Sequence, residues 1–332
     1  MTPDIGTIAS ALLVFTGAAL LAALLIALLF PVMTRWIRGL PPATRAAFLL
    51  TVACAPALGG LALLILTLSP SLSHLLGLGT DHCQVHGHHA HFCLVHAPLF
   101  AGTDLERWIL SAFGIAILFL GAAFAIRLKR VHHVLRALVT ARVRGSTRSP
   151  YRVVDSPTAF ALTAGLVRPE IYLSTRLLSQ LSPAQLKVVL DHERTHCRRR
   201  DALRLFIAEL LSRLHLPPVR RRLLADLHLA CEQACDEQAA LSVRDRLRVA
   251  ETILRVVRLS AEAGRSSDIL LPTVTGSDVQ ARVYALLRPA PTPSGRPRLA
   301  ALLGISLLGA FGFVHAEGLH HAVESAIHLL ID

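Results

Sequence analysis

Lysine is nearly absent from this 332-residue chain, which has only Lys129 and Lys187 among 34 Lys+Arg, and acidic residues are scarce at 22 Asp+Glu. Aromatic side chains are few, 5% of the residues, with two Trp and three Tyr. A basic surface without stacking aromatics or a recognisable reading helix does not suit direct nucleic-acid binding, and no nucleic-acid partner is expected. Lys and Arg are also missing ahead of the first apolar run, where only Asp4 is charged. That run therefore lacks the basic start of a cleaved signal peptide and reads as a retained anchor.

Apolar residues make up 53% of the chain, too many for a soluble enzyme. The positive charge is confined: 30 of the 34 Lys+Arg lie between Arg127 and Arg298, against 15 Asp+Glu there. Four apolar stretches are expected to cross a membrane, each long enough for ~30 Å of hydrocarbon. The expected divisions are a first span within 1–33, a second at 44–68, a loop at 69–107, a third span at 108–126, a charged block at 127–298, a fourth span at 299–316 and a tail at 317–332. Arg35, Arg38 and Arg45 make the first connection basic, whereas 69–107 holds a single Arg at its end. The positive-inside rule then puts the N-terminus, that loop and the tail outside, and 127–298 in the cytosol against anionic membrane lipid.

Within that block, Asp191-His192-Glu193-Arg194-Thr195-His196 fits H-E-x-x-H. Residues four apart share a helix face, so His192 and His196 can offer two imidazoles to one Zn²⁺, with Glu193 beside them as general base. Ser182, Pro183 and Gln185 predict a capped helix start with a capping box. A catalytic site needs a third ligand, and Glu232 in a second helical run, Leu223 to Val243, can supply it. Asp236, one turn on, can hydrogen-bond the far ring nitrogen of a ligand histidine. His228, one turn before Glu232, is the rival ligand, and with Tyr172 it is also a candidate partner for the developing oxyanion. Arg168 to Ser174 reads as a short strand.

The order Asp155-Ser156-Pro157, Gly165 to Ser174, Leu181-Ser182, Val189 to His196, Arg198 to Asp201 and Glu232-x-x-x-Asp236 resembles the BlaR/MecR-type antirepressor membrane metallopeptidases. The resemblance implies an integral-membrane, mainly α protein of four transmembrane helices, with a cytoplasmic α+β gluzincin-like zincin domain between the third and fourth. It implies a zinc endopeptidase in the bacterial inner membrane that transduces a signal by cleaving a cytosolic winged-helix repressor, itself or both. His192, His196 and Glu232 are then the zinc ligands, Glu193 the base and Asp236 the supporting carboxylate. An exposed strand edge beside the zinc helix would hold the substrate, and a homodimer is compatible with this picture. The β-lactam sensors of the family carry a penicillin-binding domain after the fourth span. Here 317–332 is too short for one and the chain has no Ser-x-x-Lys, so sensing through such a domain is not expected.

The outside loop offers another sensor. His82, Cys83, His86, His88, His89, His91, Cys93 and His96 crowd one irregular stretch, a metal-binding composition. His320, Glu324 and His328 in the tail fall on one helical face at spacing four. A second Zn, Cu or Ni ion bridging loop and tail is one expectation; a Cys83–Cys93 disulfide without metal is the other. Cys197, Cys231 and Cys235 read as inert packed thiols, and the polar break 264–268 as a linker. Two other functions fit H-E-x-x-H: a membrane quality-control zinc protease of the HtpX or CAAX-processing type, and a metal-binding membrane receptor without proteolytic activity.

Overall fold

The computed structural model describes residues 5–77, 104–140, 150–262 and 276–289, with the isolated positions Gly318, Ala322, Val323 and Ser325. Three helices, α1 (Ile5–Ile37), α2 (Pro42–Leu75) and α3 (Asp104–Thr140), each contain a stretch long and apolar enough to cross a membrane. Leu20, Leu24 and Leu28 on α1 and Ile115, Leu118 and Phe119 on α3 stand exposed, an apolar surface suited to lipid. All three helices outrun the expected spans. The third continues past residue 126 because Arg127 to Thr140 contains neither Gly nor Pro to stop it. At Gly60 on α2, a Cβ would lie 2.7 Å from the carbonyl oxygen of Phe15, so the missing side chain lets α1 and α2 touch. The expected fourth span, the loop 78–103, the break 264–268 and nearly all of the tail lie outside the described residues.

The block after α3 opens with a three-stranded sheet, β1 (Arg152–Val154), β2 (Ala161–Ala164) and β3 (Glu170–Ser174), in the order β1-β3-β2. β1 pairs parallel and β2 antiparallel to β3. The expected strand at 168–174 is thus the central one and has no free edge. The edge beside the helices is β2, Ala161-Leu162-Thr163-Ala164, only four residues long with alanine at both ends, which gives little strand signal. Gly165 makes the β2–β3 turn possible: its φ is +115°, and a Cβ there would sit 2.6 Å from the Arg168 carbonyl.

Helices follow: α4 (Thr175–Gln180), α5 (Pro183–Arg199), α6 (Asp201–Leu211), α7 (Pro217–Val243), α8 (Arg246–Glu262) and α9 (Gly276–Leu287). The Ser182–Gln185 capping box starts α5, with Pro183 in its first turn. Ile171 and Leu173 on one sheet face pack with Val189 of α5 and Leu259 of α8. Val188 packs with Ala239, Val249, Ile253, Val279 and Leu286, drawing α5, α7, α8 and α9 together. A third cluster joins this block to the long helices: Leu223, Leu227, Ala230 and Cys231 of α7 and Ala208 of α6 meet Phe30 and Ile37 of α1 and Ala46, Leu49, Val52 and Ala53 of α2. The first third of α2 is therefore covered by protein rather than free for lipid.

Candidate metal centre

The centre forms where α5 and α7 pass in opposite directions. His192 meets Asp236, and His196, one turn on, meets Glu232, one turn back. His192 Nε2 and His196 Nε2 are 3.1 Å apart. Glu232 Oε2 lies 3.5 Å from the first and Oε1 3.3 Å from the second. Single donor atoms of His192, His196 and Glu232 all fall within 4.8 Å of one another. His228 is exposed and belongs to no such group among the described residues.

Each imidazole is held from behind by its own carboxylate. Asp236 Oδ1 is 2.9 Å from His192 Nδ1, and Asp201 Oδ2 is 3.0 Å from His196 Nδ1. Both carboxylates are almost fully buried, at 1% exposure. Such contacts fix the tautomer that turns Nε2 toward a metal. Asp201 reaches back to the preceding helix because Arg200 takes the left-handed conformation, φ 52° and ψ 45°, ending α5 and starting α6 within one residue. Arg199 secures Asp201 through Nε at 3.1 Å. Arg282, on α9, grips Asp236 with Nε and Nη2, both at 2.7 Å, and puts Nη1 2.8 Å from Glu232 Oε2.

The electrostatics favour positive charge between the imidazoles. Desolvation pulls the pKa of His192 down, but Asp236 and Glu232 outweigh it and hold it above the ordinary imidazole value. His196 is held well above that value, with Asp201 the main counterweight to desolvation. Desolvation would raise Glu232, yet Arg282 and then the two imidazoles keep it well below the usual carboxylate range. Two neutral imidazole nitrogens and one carboxylate oxygen, each oriented from behind, fit a divalent transition ion such as zinc.

Glu193, 7% exposed, follows His192 in α5, and Thr163 of β2 donates its hydroxyl to Glu193 Oε2 at 2.8 Å. Tyr172 does not approach the centre. Strand alternation turns it away from the Ile171 and Leu173 face, into a cluster with Leu138 and Val154, and its hydroxyl bonds Glu170. Burial pushes the Cys231 thiol up to about 12 and that of Cys235 to about 11, so both stay protonated. The external candidates His82, Cys83, His86, His88, His89, His91, Cys93, His96, His320, Glu324 and His328 lie outside the described residues.

Two imidazoles from H-E-x-x-H facing a carboxylate of a later helix, with three membrane-length helices among the described residues, are the marks of a membrane metallopeptidase. The chain belongs to the BlaR1 peptidase M56 family, whose model matches residues 103–286, more than half of its length. No curated protein and no solved structure matches it.

Proposed function

We propose that the chain is a zinc endopeptidase of a bacterial inner membrane, with its metal centre on the cytosolic side, that transduces an external signal by cleaving a cytosolic winged-helix repressor, itself or both. The observation that carries this reading is the convergence of His192, His196 and Glu232 from two helices; Glu193, next to His192 in the chain and held by Thr163, is the carboxylate that H-E-x-x-H supplies as base. His192, His196 and Glu232 would hold the ion, with Asp236 and Asp201 keeping the imidazoles turned toward it. When bound, zinc polarises the scissile carbonyl and lowers the pKa of water toward ~7.

Glu193 Oε takes the proton of the attacking water and passes it to the leaving amine. The Thr163 hydroxyl occupies one lone pair of Oε2 and so fixes the carboxylate's direction. Among the described residues β2 is hydrogen-bonded to β3 along one side only, and its Thr163 touches Glu193. An extended substrate added to the free side of β2 would run past Glu193. The outer stretch 81–96 and the tail around His320, Glu324 and His328 would bind the second, external ion as the sensing part; titration of Zn²⁺ against loop and tail peptides with no binding tighter than about millimolar would rule that out.

The test is co-expression of the intact chain with the regulators encoded beside it, against Glu193→Gln. Cleavage of a winged-helix repressor, or of the chain, should fall by about 10²- to 10⁴-fold in the variant while its metal content is unchanged. Cleavage persisting in Glu193→Gln removes Glu193 from the mechanism.

A further inference from the structure

Helix α7 carries the metal centre on one face and a seat for α2 on the other. Leu223, Leu227 and Ala230 pack against Ala46, Leu49, Val52 and Ala53, whereas Glu232 and Asp236 face α5. A polar contact fastens each end of that apolar seat. At one end, Pro56 has no N–H to give to the Val52 carbonyl four residues earlier, which a proline inside a helix leaves without its partner. His215, 4% exposed and just ahead of α7, fills that gap with Nε2 3.0 Å from Val52 O. At the other end, Arg45 in the first turns of α2 donates from Nη2 to Gln233 Oε1, with Asp226 of α7 as a further attracting charge.

Gln233 is 8% exposed and uses both ends of its amide. While Oε1 accepts from Arg45, Nε2 donates to the carbonyl of Ala281 on α9 at 3.0 Å. The next residue is Arg282, whose guanidinium holds Asp236 and Glu232 Oε2. One buried amide thus joins the membrane-length helix α2 to the helix whose arginine competes with a metal for Glu232. The proposed chemistry uses neither Arg45 nor Gln233.

We propose that Arg45, Gln233 and Arg282 form a positioning relay that sets Glu232 in the metal centre according to where α2 sits against α7. The relay rests on the metal-binding reading above. A shift of α2 along its seat moves the Arg45 guanidinium, the Gln233 amide follows or lets go of Ala281, and α9 changes the hold of Arg282 on Glu232 Oε2. A tightened hold turns Glu232 away from the imidazoles, and a relaxed one frees it as a donor. A role as docking pin alone would affect how firmly α2 seats and nothing at the centre.

The test uses the full chain in detergent micelles, carrying Glu193→Ala to stop self-cleavage, with Co²⁺ alone as probe. The His192→Ala/His196→Ala chain supplies the baseline for ions bound elsewhere. Arg45→Met should change Co²⁺ affinity about 10-fold and shift its visible absorption band. It should add nothing in a Gln233→Met background, where the relay is already cut. Leu49→Ala thins the same seat without touching the relay, and should lower Tm while leaving the Co²⁺ band in place. The relay is overturned if Arg45→Met keeps both affinity and band, or if its effect and that of Gln233→Met simply add. Should Arg45→Met fail to fold, Arg45→Lys, which keeps the charge but not the guanidinium fork, is judged by the same criteria. A Glu193→Ala chain without Co²⁺ absorption above the baseline would overturn the metal reading itself, and the relay with it.

Discussion

Replacing Asp236 by Asn separates support of the metal from holding it. Asp236 makes three short contacts, to His192 Nδ1 at 2.9 Å and to Arg282 Nε and Nη2 at 2.7 Å, at 1% exposure. An amide fills the same space, and its oxygen can still accept from His192 Nδ1–H and Arg282 Nη2, so the position of the ring is preserved; its NH2 then faces the Arg282 Nε–H and that bond is lost. What goes is the charge that makes Nε2 a stronger donor and that balances Arg282. Loss of such a supporting carboxylate costs about 10- to 100-fold in metal affinity, about 1.4 to 2.8 kcal/mol. The upper end is expected here, because Arg282 is left with Glu232 Oε2, already at 2.8 Å, as its remaining anion and draws a ligand away. The assay is competitive zinc titration against a chelator on the full chain in detergent, in the Glu193→Ala background, with Glu170→Gln on β3 as a control expected to stay within about twofold. An Asp236→Asn chain that binds zinc as tightly as the control would show that this carboxylate does not tune His192, and would refute the reasoning from geometry to affinity.

Removing Arg282 instead leaves Asp236 buried without its cation, and Arg282→Met should destabilise the metal-free chain by about 3 kcal/mol, read as faster hydrogen exchange in α7. Asp236→Asn in the same chain should recover part of that loss. The Cys231 and Cys235 thiols, raised to about 12 and about 11, are protonated at every pH below those values, so iodoacetamide at pH 8 should label them only after unfolding; mass spectrometry of the intact chain reads this. Gly165→Ala forces a Cβ toward the Arg168 carbonyl at φ +115°, and should cost about 1 to 3 kcal/mol and reduce protection of the β2–β3 amides.

Much of the centre was legible because it is local. Two helical spacings of four, His192 to His196 and Glu232 to Asp236, and a capping box at Ser182 can be seen without knowing how the helices meet. The rest depends on placement. Asp201 follows His196 by five residues and would ordinarily lie on another face of a continuing helix; only the left-handed Arg200 brings it back, and arginine gives no warning of that conformation. Arg282 is 46 residues beyond Asp236 on a helix that no motif announces. The strand at Glu170–Ser174 was readable from Ile171-Tyr172-Leu173, but not its central position, because β2 is four residues long and begins and ends in alanine. Tyr172, a reasonable oxyanion candidate by residue type, is turned away by strand alternation. The long helices were readable from hydropathy, whereas the burial of the N-terminal end of α2 against α7 follows from apolar residues that lipid would have accepted equally well.

The central claim is that two imidazoles and one carboxylate from α5 and α7 hold a single zinc ion. Zinc-edge X-ray absorption on the purified full chain, taken as the difference from His192→Ala/His196→Ala, tests it most directly. With His192, His196 and Glu232 as ligands, the scattering lost in the variant is nitrogen and oxygen at ~2.0–2.2 Å, including two imidazoles and no sulfur. A lost sulfur contribution at ~2.3 Å, or no difference between the two chains, would contradict it.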